Sequence, residues 1–291
     1  MSITSSGMVH PSKGCRYIST PYSRVNIGSR VGKGNAMTAI IHQFAVGADN
    51  FGVLVHDPST GATASIDAGD EAPILAALGH KGWTLTDILI THHHSDHIAA
   101  LSSLKTRLGA RVVAPRADRH RIPDIDVAVG EGDHVQIGSI DFLTIETPGH
   151  TSGHVSFYSA TEKLLFAGDT LFSLGCGRLF EGTAEQMWQS LSRLAALPDD
   201  TRLYCGHEYT LSNAKFAIKY DPDNAALRAR IAEAEALRAK GAFTLPSTIG
   251  KEKVTNPFLR AAEPELASAV GLTGHQPVEI FAALREAKNK S

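Results

Sequence analysis

Between an apolar run, LTDILI, and a run with helical spacing, IAALSSLKTRLG, lies THHHSDH, residues 91–97. Four histidines and an aspartate in seven positions do not suit a hydrophobic core, because polar groups taken out of water without partners cost free energy. The stretch has to sit where a buried strand hands over to a helix, on the rim of a layered α/β structure. In locally extended chain, side chains at i and i+2 share a side. His92 and His94 can therefore converge while His93 points away. Asp96 and His97 follow at the start of the helix, aimed back by the turn, with Ser95 as the expected N-cap.

Three more pieces follow, each after a predicted strand: His150 after IDFLTIET in TPGHTSGH, Asp169 after KLLFA in GDT, and His207 after TRLYC in CGHE. Taken singly they are bland. A lone histidine is usually just hydrogen-bonded, and Gly-Asp is ordinary turn chemistry. Taken together, in this order and at strand ends, they read as metal ligands delivered to one rim. The set exceeds what one tetrahedral zinc uses, so two ions are expected. A pair of ions about 3.5–4 Å apart can supply a nucleophile from water and a Lewis acid for a carbonyl oxygen. That chemistry is metal-assisted hydrolysis.

The rest of the chain fits such a scaffold. AIIHQFAV, FGVLVHD, ATASID, ARVVAP, HVQIG and HVSFYSA also read as strands. Ile98, Leu101, Leu104 and Leu108 share a helical face, as do apolar residues of EQMWQSLSRLAAL. Up to about residue 209 the pattern predicts two sheets with helices outside. Beyond it NAALRARIAEAEALRAKG predicts a helix stopping at Gly241, TLPSTIGKEKVTNPFLR a loop, and PVEIFAALREAKNK a last helix. The 291 residues carry a formal charge of −2, which offers no general attraction to nucleic acid or anionic membrane. No apolar run approaches the ~20 residues that cross a bilayer. Cys15, Cys176 and Cys205 form neither a disulfide framework nor a zinc spacing, which favours a reducing compartment. Cys176 and Cys205 read as structural thiols, since nothing nearby argues for a thiolate. Residues 1–36 hold five Lys or Arg and no Asp or Glu. They are expected to be a disordered tail, or to precede a true start at Met37, with a targeting segment as the alternative.

T-H-x-H-x-D-H, then G-H, G-D-T and G-H-E, resembles the metallo-β-lactamase superfamily over residues 38–209. The resemblance implies an αβ/βα sandwich with a dinuclear centre at one edge. It places His92, His94 and His150 on the first metal and Asp96, His97 and His207 on the second, with Asp169 bridging. His93 and His154 match no ligand position and are read as structural. Lactam-cleaving members often have Cys where this chain has Asp169, which counts against that activity.

GDTLFSLGCGRLFEGTAEQM, CGHEYT, TIGKEKVTNPFLR and the C-terminal helix together resemble the glyoxalase II, or hydroxyacylglutathione hydrolase, family over essentially everything after residue 37. That implies hydrolysis of S-D-lactoylglutathione to D-lactate and glutathione in methylglyoxal detoxification, with Asp96 and Asp169 as the catalytic carboxylates. It also implies glutathione contacts at Arg178, Phe180, Tyr209, Arg285 and Lys288. Many members have Tyr at the position of Phe180 and Lys at that of Arg178. Cationic residues suit a ligand with two carboxylates, although from spacing alone Arg285 and Lys288 read as a solvated i,i+3 face. The implied organisation is an N-terminal extension (1–36), a catalytic domain (37–209) and a helical substrate-binding domain (210–291). The implied cofactor is two divalent transition-metal ions, zinc first, with iron or manganese compatible with the same donors. A monomer in the cytoplasm is expected, or in mitochondria if residues 1–36 are a transit segment. The alternative is a mononuclear-iron persulfide dioxygenase of the same fold. A nuclease lacks a basic, aromatic-interleaved stretch here, and a non-enzymatic metal module would need no bridging carboxylate.

Overall fold

The computed structural model describes residue 1 and residues 39–291; the expectation for residues 1–36 therefore lies outside the described residues apart from Met1. The first sheet runs in chain order through β1 (Ile40–Val46), β2 (Asn50–His56), β3 (Thr63–Ile66), β4 (Asp87–Leu89), β5 (Arg111–Pro115) and β6 (Val127–Val129). The second holds β7 (His134–Ile137), β8 (Ile140–Glu146), β9 (Val155–Ser159), β10 (Leu164–Phe166), β13 (Arg202–Tyr204) and β14 (Ser247–Thr248), in the order β14-β13-β10-β9-β8-β7. A small hairpin, β11 (Leu171–Phe172) and β12 (Gly175–Cys176), stands apart from both.

Strand alternation decides which side chains meet. Val53 and Val55 of β2 point into the space between the sheets, where they join Leu89, Val113, Phe142, Phe157 and Phe166. Leu54, Ile88 and Val112 point the other way, onto α1 (Glu71–Lys81) and α3 (Leu101–Leu108) through Ile74, Leu78, Leu101 and Leu104. On the outside of the second sheet, Leu165 and Leu203 meet α4 (Ala184–Ala195) and α9 (Pro277–Asn289) through Leu191, Leu194, Phe281 and Leu284. Helix, sheet, sheet, helix is the αβ/βα sandwich. Buried on both faces, β4 and β5 are apolar after their first residues, Asp87 and Arg111, which pair with each other at 2.6 Å.

The C-terminal part adds α5 (Thr210–Tyr220), α6 (Ala225–Ala239), α7 (Ile249–Thr255) and α8 (Pro264–Ala269) before α9. It shares one core with α4, since Ile249, Phe258 and Phe281 pack in the same cluster as Met187 and Leu191. Among the described residues no helix is long and apolar enough to cross a membrane.

Two local expectations need correction. TLPSTIGKEKVTNPFLR is not a loop. It contains β14 and α7, whose N-cap Thr248 accepts from the Lys251 N–H. Some of its polar residues face inward: Glu252 and Asn256 are fully buried, while Lys251 and Lys253 are exposed. Asn256 Nδ2 donates to the carbonyls of Phe172 and Gly175 at 3.0 and 2.9 Å, and its Oδ1 accepts from the Phe258 N–H. Asn256 thereby fastens the β11–β12 hairpin. Asn256→Ala should lower unfolding free energy by about 2–4 kcal/mol, the cost of several buried backbone groups left unpaired, read as a fall in the midpoint of urea unfolding. Ser95 is not an N-cap either. It opens the four-residue α2 (Ser95–Ile98), whose cap residue, His94, makes no capping hydrogen bond through its side chain, because that imidazole is turned toward the site.

Candidate metal centre

Three ligand candidates arise by the same device. His92 lies three residues past the end of β4, Asp169 three past β10 and His207 three past β13. β10 and β13 are parallel neighbours with Phe166 paired to Tyr204, so Asp169 and His207 emerge side by side. His150 follows β8, and α2 turns Asp96 and His97 back toward the same rim. Gly168 makes the turn before Asp169 with φ +48°. A Cβ there would lie 2.6 Å from His154 Nε2 and 2.8 Å from Thr91 Oγ1, so only glycine lets the chain approach so closely.

The ligand atoms fall into two adjoining sets. His94 Nδ1 lies 3.1 Å from His92 Nε2 and 3.0 Å from His150 Nε2. In the second set, Asp96 Oδ2 is 3.4 Å from His97 Nε2 and 3.5 Å from His207 Nε2. Asp169 faces both: its Oδ2 is 3.4 Å from His150 Nε2 and 3.3 Å from His207 Nε2, and its Oδ1 is 3.6 Å from His97 Nε2. All seven residues expected from the resemblance are brought together.

The far side of three rings decides what faces the centre. His150 Nδ1 is 2.9 Å from the Arg178 carbonyl, which can only accept, so Nδ1 carries the proton and Nε2 offers a lone pair. His97 Nδ1 donates in the same way to Asp67 Oδ2 at 2.8 Å, and His207 Nδ1 to Asp49 Oδ1 at 3.0 Å. The inward Nε2 atoms then confront carboxylate oxygens, and among the described residues His97 Nε2 and Asp169 Oδ1 are buried with no hydrogen-bond partner. Lone pairs facing carboxylates repel unless positive charge lies between them. Burial pulls His97 down, but the carboxylates of Asp67, Asp169 and Asp96 outweigh it and raise it to about 9. Burial also holds His92 well below its ordinary value, with the neighbouring histidines adding to the effect, and lowers His150. The first set is thus neutral imidazole, and the carboxylates of the second draw positive charge that a cation would supply in place of the His97 proton, since ligand histidines hold metal deprotonated. The residues fit two divalent ions.

Several contributors escape a reading by ligand motif. Asp67, at φ +59° just past β3, accepts from the Thr91 N–H and hydroxyl as well as from His97. Its signal was available, as it too ends a predicted strand. Asp49 sits in the β1–β2 turn and carries no such signal. His154 stands outside the two donor sets, and its Nε2 accepts the Asp169 N–H at 3.0 Å and so fixes that residue's backbone. His93 turns away, to Asp118.

A cleft of about 640 Å³ opens over the centre and is bounded by Arg178, Phe180, Tyr209, Arg285 and Lys288 together with the metal-facing side chains. Tyr209 stacks on His207 with ring centroids 4.7 Å apart, and Phe180 sets its ring edgewise to His94 and His150. Burial and the carboxylates of Asp49, Asp169 and Asp96 push the Tyr209 hydroxyl up to about 12, so it stays a donor at neutral pH. Arg285 is buried, with Nη1 2.8 Å from the Cys176 carbonyl and Cζ 5.2 Å from the Phe258 ring centroid; the solvated-face reading of this residue does not hold. Lys288 Nζ reaches the Ser212 carbonyl at 3.1 Å. Burial, then the charges of Arg285 and Arg178, hold its pKa down, so three cations crowd one wall. Cys176 and Cys205 are buried free thiols whose pKa burial raises.

Comparison with known proteins agrees with this geometry. Residues 46–207 match the family described as the metallo-beta-lactamase superfamily, and residues 208–291 match the hydroxyacylglutathione hydrolase C-terminus. The hydroxyacylglutathione hydrolase of Rhodopseudomonas palustris (strain BisA53) is 55% identical over 255 residues, 88% of this chain and 100% of that one. That of Rhizobium meliloti (strain 1021) is 57% identical over 241 residues, 83% and 94% respectively. Among solved structures, ETHE1 from Myxococcus xanthus superposes with a TM-score of 0.63 at 28% identity, covering 86% of this chain and 91% of its own. TTHA1623 in a di-iron-bound form does so with 0.55 at 26% identity, covering 75% and 100%.

Proposed function

The chain belongs to the hydroxyacylglutathione hydrolase family, and from that premise we propose how its residues divide the hydrolysis of a glutathione thioester between them. It is a metal-dependent thioester hydrolase of the metallo-β-lactamase fold. In our assignment His92, His94 and His150 hold one ion and Asp96, His97 and His207 the other, with Asp169 shared. When bound, the ions supply Lewis acidity and make water acidic enough to act as a nucleophile near neutral pH. Zinc is our choice of ion. Support for two ions comes from the two adjoining donor sets and from a structural relative in a di-iron-bound form.

The chain's own residues do the rest. Asp67, Asp49 and the Arg178 carbonyl hold the outer nitrogens of His97, His207 and His150, which fixes tautomer and ring direction. His154 holds the backbone of Asp169. Arg178, Arg285, Lys288 and the Tyr209 hydroxyl bind the carboxylates of glutathione by charge-assisted hydrogen bonds, which relieves the repulsion among the three cations. Phe180 and the ring of Tyr209 flank the acyl end beside the ligand histidines, and lactoyl is the acyl group we assign. The observation that carries the reading is the meeting, in one cleft, of this ligand cluster with three cationic side chains, Arg178 from the segment after β12 and the pair Arg285 and Lys288 from α9. Since one chain supplies the whole set, we take a monomer as the working unit. The buried free thiols favour a reducing compartment such as the cytoplasm.

Metal content and thiol release measured on one preparation test this reading. Purified protein should hold about two transition-metal ions per chain, as a two-ion hydrolytic site requires. A strong chelator should abolish thiol release from lactoylglutathione, and returning the metal should restore it. A fully active preparation that never exceeds one ion would reject the dinuclear assignment.

A further inference from the structure

We propose that Arg121 is a positioning residue for substrate binding: with Asp118 and Glu181 it clasps the Arg178–Phe180 segment in place over the cleft. The inference rests on the reading of Arg178 and Phe180 as substrate contacts.

Phe180 is 62% exposed. An aromatic ring this open gains little from burial, so its position has to be set by the backbone on either side. On one side the Phe180 N–H donates to the His150 carbonyl at 3.2 Å. On the other, Glu181 is held from two directions. Its Oε1 takes Arg121 Nη1 at 2.5 Å, and its Oε2 takes the Ser152 N–H and hydroxyl at 2.8 and 2.9 Å. The same guanidinium sends Nη2 to Asp118 Oδ1 at 2.5 Å and to Ser152 Oγ at 3.1 Å.

Asp118 anchors the arrangement. It is fully buried at the end of a single 3-10 turn, Arg116–Asp118, and its other oxygen is 3.3 Å from His93 Nδ1. The His150–Ser152 loop closes onto it only because residue 153 is glycine. A Cβ there would lie 2.0 Å from Asp118 Oδ1. Two loops therefore meet on one forked side chain, the loop after His150 and the Arg178–Glu181 segment, and the loop carrying His92 and His94 joins them through His93, 3.3 Å from Asp118 and 3.5 Å from Glu181. Isolated surface ion pairs contribute little, but a connected network anchored on a buried carboxylate is stiffer than its separate pairs. The planar fork of arginine can hold Asp118 and Glu181 together, whereas the ammonium of lysine is a single point. This arrangement gives His93, which no ligand role absorbs, a place in the site.

The test uses metal-loaded enzyme and lactoylglutathione, with Arg121→Ala, Glu181→Gln, their double variant, Arg121→Lys, and Phe180→Ala as a direct probe of the segment. If the clasp positions the segment, Arg121→Ala and Glu181→Gln should each raise KM about five- to tenfold with kcat within about twofold, the pattern of lost uniform binding. Metal content should stay at wild type. The double variant should be no worse than the poorer single one, because both break one network, and Arg121→Lys should recover part of the loss. Should Arg121→Ala fail to fold, Glu181→Gln alone decides. A raised KM in Phe180→Ala with unchanged KM in the clasp variants would overturn the inference and leave the substrate reading standing. No change in Phe180→Ala would remove the substrate reading of the segment, and the inference with it. Loss of metal from the clasp variants would also overturn it, since the network would then be acting on the ligands.

Discussion

Asp169→Ala is expected to cut thiol release by more than about a hundredfold, the upper end of what removing a mere orienting group beside a metal ligand costs, while the chain stays folded. The oxygens of Asp169 face both donor sets, at 3.3–3.6 Å from His150, His207 and His97. Two dications held this close repel, and a carboxylate between them offsets that repulsion. Without it one ion should leave or bind far more weakly. The fold has less to lose. The contact that fixes the residue's place, its N–H to His154, belongs to the backbone and survives in alanine. Among the described residues the carboxylate's Oδ1 is buried with no hydrogen-bond partner to lose. The informative measurement is metal content alongside turnover, with thermal unfolding as the control. Asp169→Asn keeps the volume and removes the charge, so its occupancy should fall between wild type and alanine. A folded alanine variant with two ions and near-normal turnover would show that Asp169 does not bridge.

The candidate ligand positions were legible because His92, His150, Asp169 and His207 follow short apolar strands, and α2 turns Asp96 and His97 to the same rim. Asp67 obeys the same rule after ATASI, yet a single aspartate there is indistinguishable from a turn residue until His97 is seen on its far side. Asp49 was beyond reach, since it is brought to His207 across the chain. The paired layers were legible from strand alternation and helical spacing. The β11–β12 hairpin was not, as two-residue strands carry no period. Helix α7 was masked by its polarity, because Glu252 and Asn256 are buried for their hydrogen bonds, which a hydrophobic pattern cannot register. Helix α1 did carry its signals, Asp70 capping the Ala72 N–H and Gly82 in the left-handed conformation. Arg285 misled in the opposite sense. A charged residue three before Lys288 looked solvated, but it follows Phe281 and Leu284 onto the buried face of α9 and rests its guanidinium on Phe258.

That burial changes how the C-terminal cations are best tested. Arg285→Ala would remove a packed stem along with the charge, and its effect on binding would be mixed with lost stability. Methionine at both positions keeps most of the stem and removes only the head groups. If Arg285 and Lys288 pair with glutathione carboxylates, each lost charge-assisted hydrogen bond should cost about 1.5–3 kcal/mol, or tenfold and more in KM. Arg285→Met, Lys288→Met should then raise KM for lactoylglutathione about a hundredfold or more, with a smaller fall in kcat, since neither group is among the metal-facing ligands. A small activated thioester without the peptide should be turned over almost as by wild type, and metal content should not change. Lys288→Met is the cleaner single variant. Its ammonium holds the Ser212 carbonyl and lies 5.4 Å from the Phe216 ring centroid, whereas Arg285 holds the carbonyl of Cys176 and through it the start of the segment leading to Arg178. A drop in kcat for both substrates in Arg285→Met, absent from Lys288→Met, would mean that Arg285 supports the hairpin rather than the ligand. Equal losses on both substrates in Lys288→Met would make that side of α9 structural, and an unchanged KM for the thioester would take from the cleft its assigned grip on glutathione.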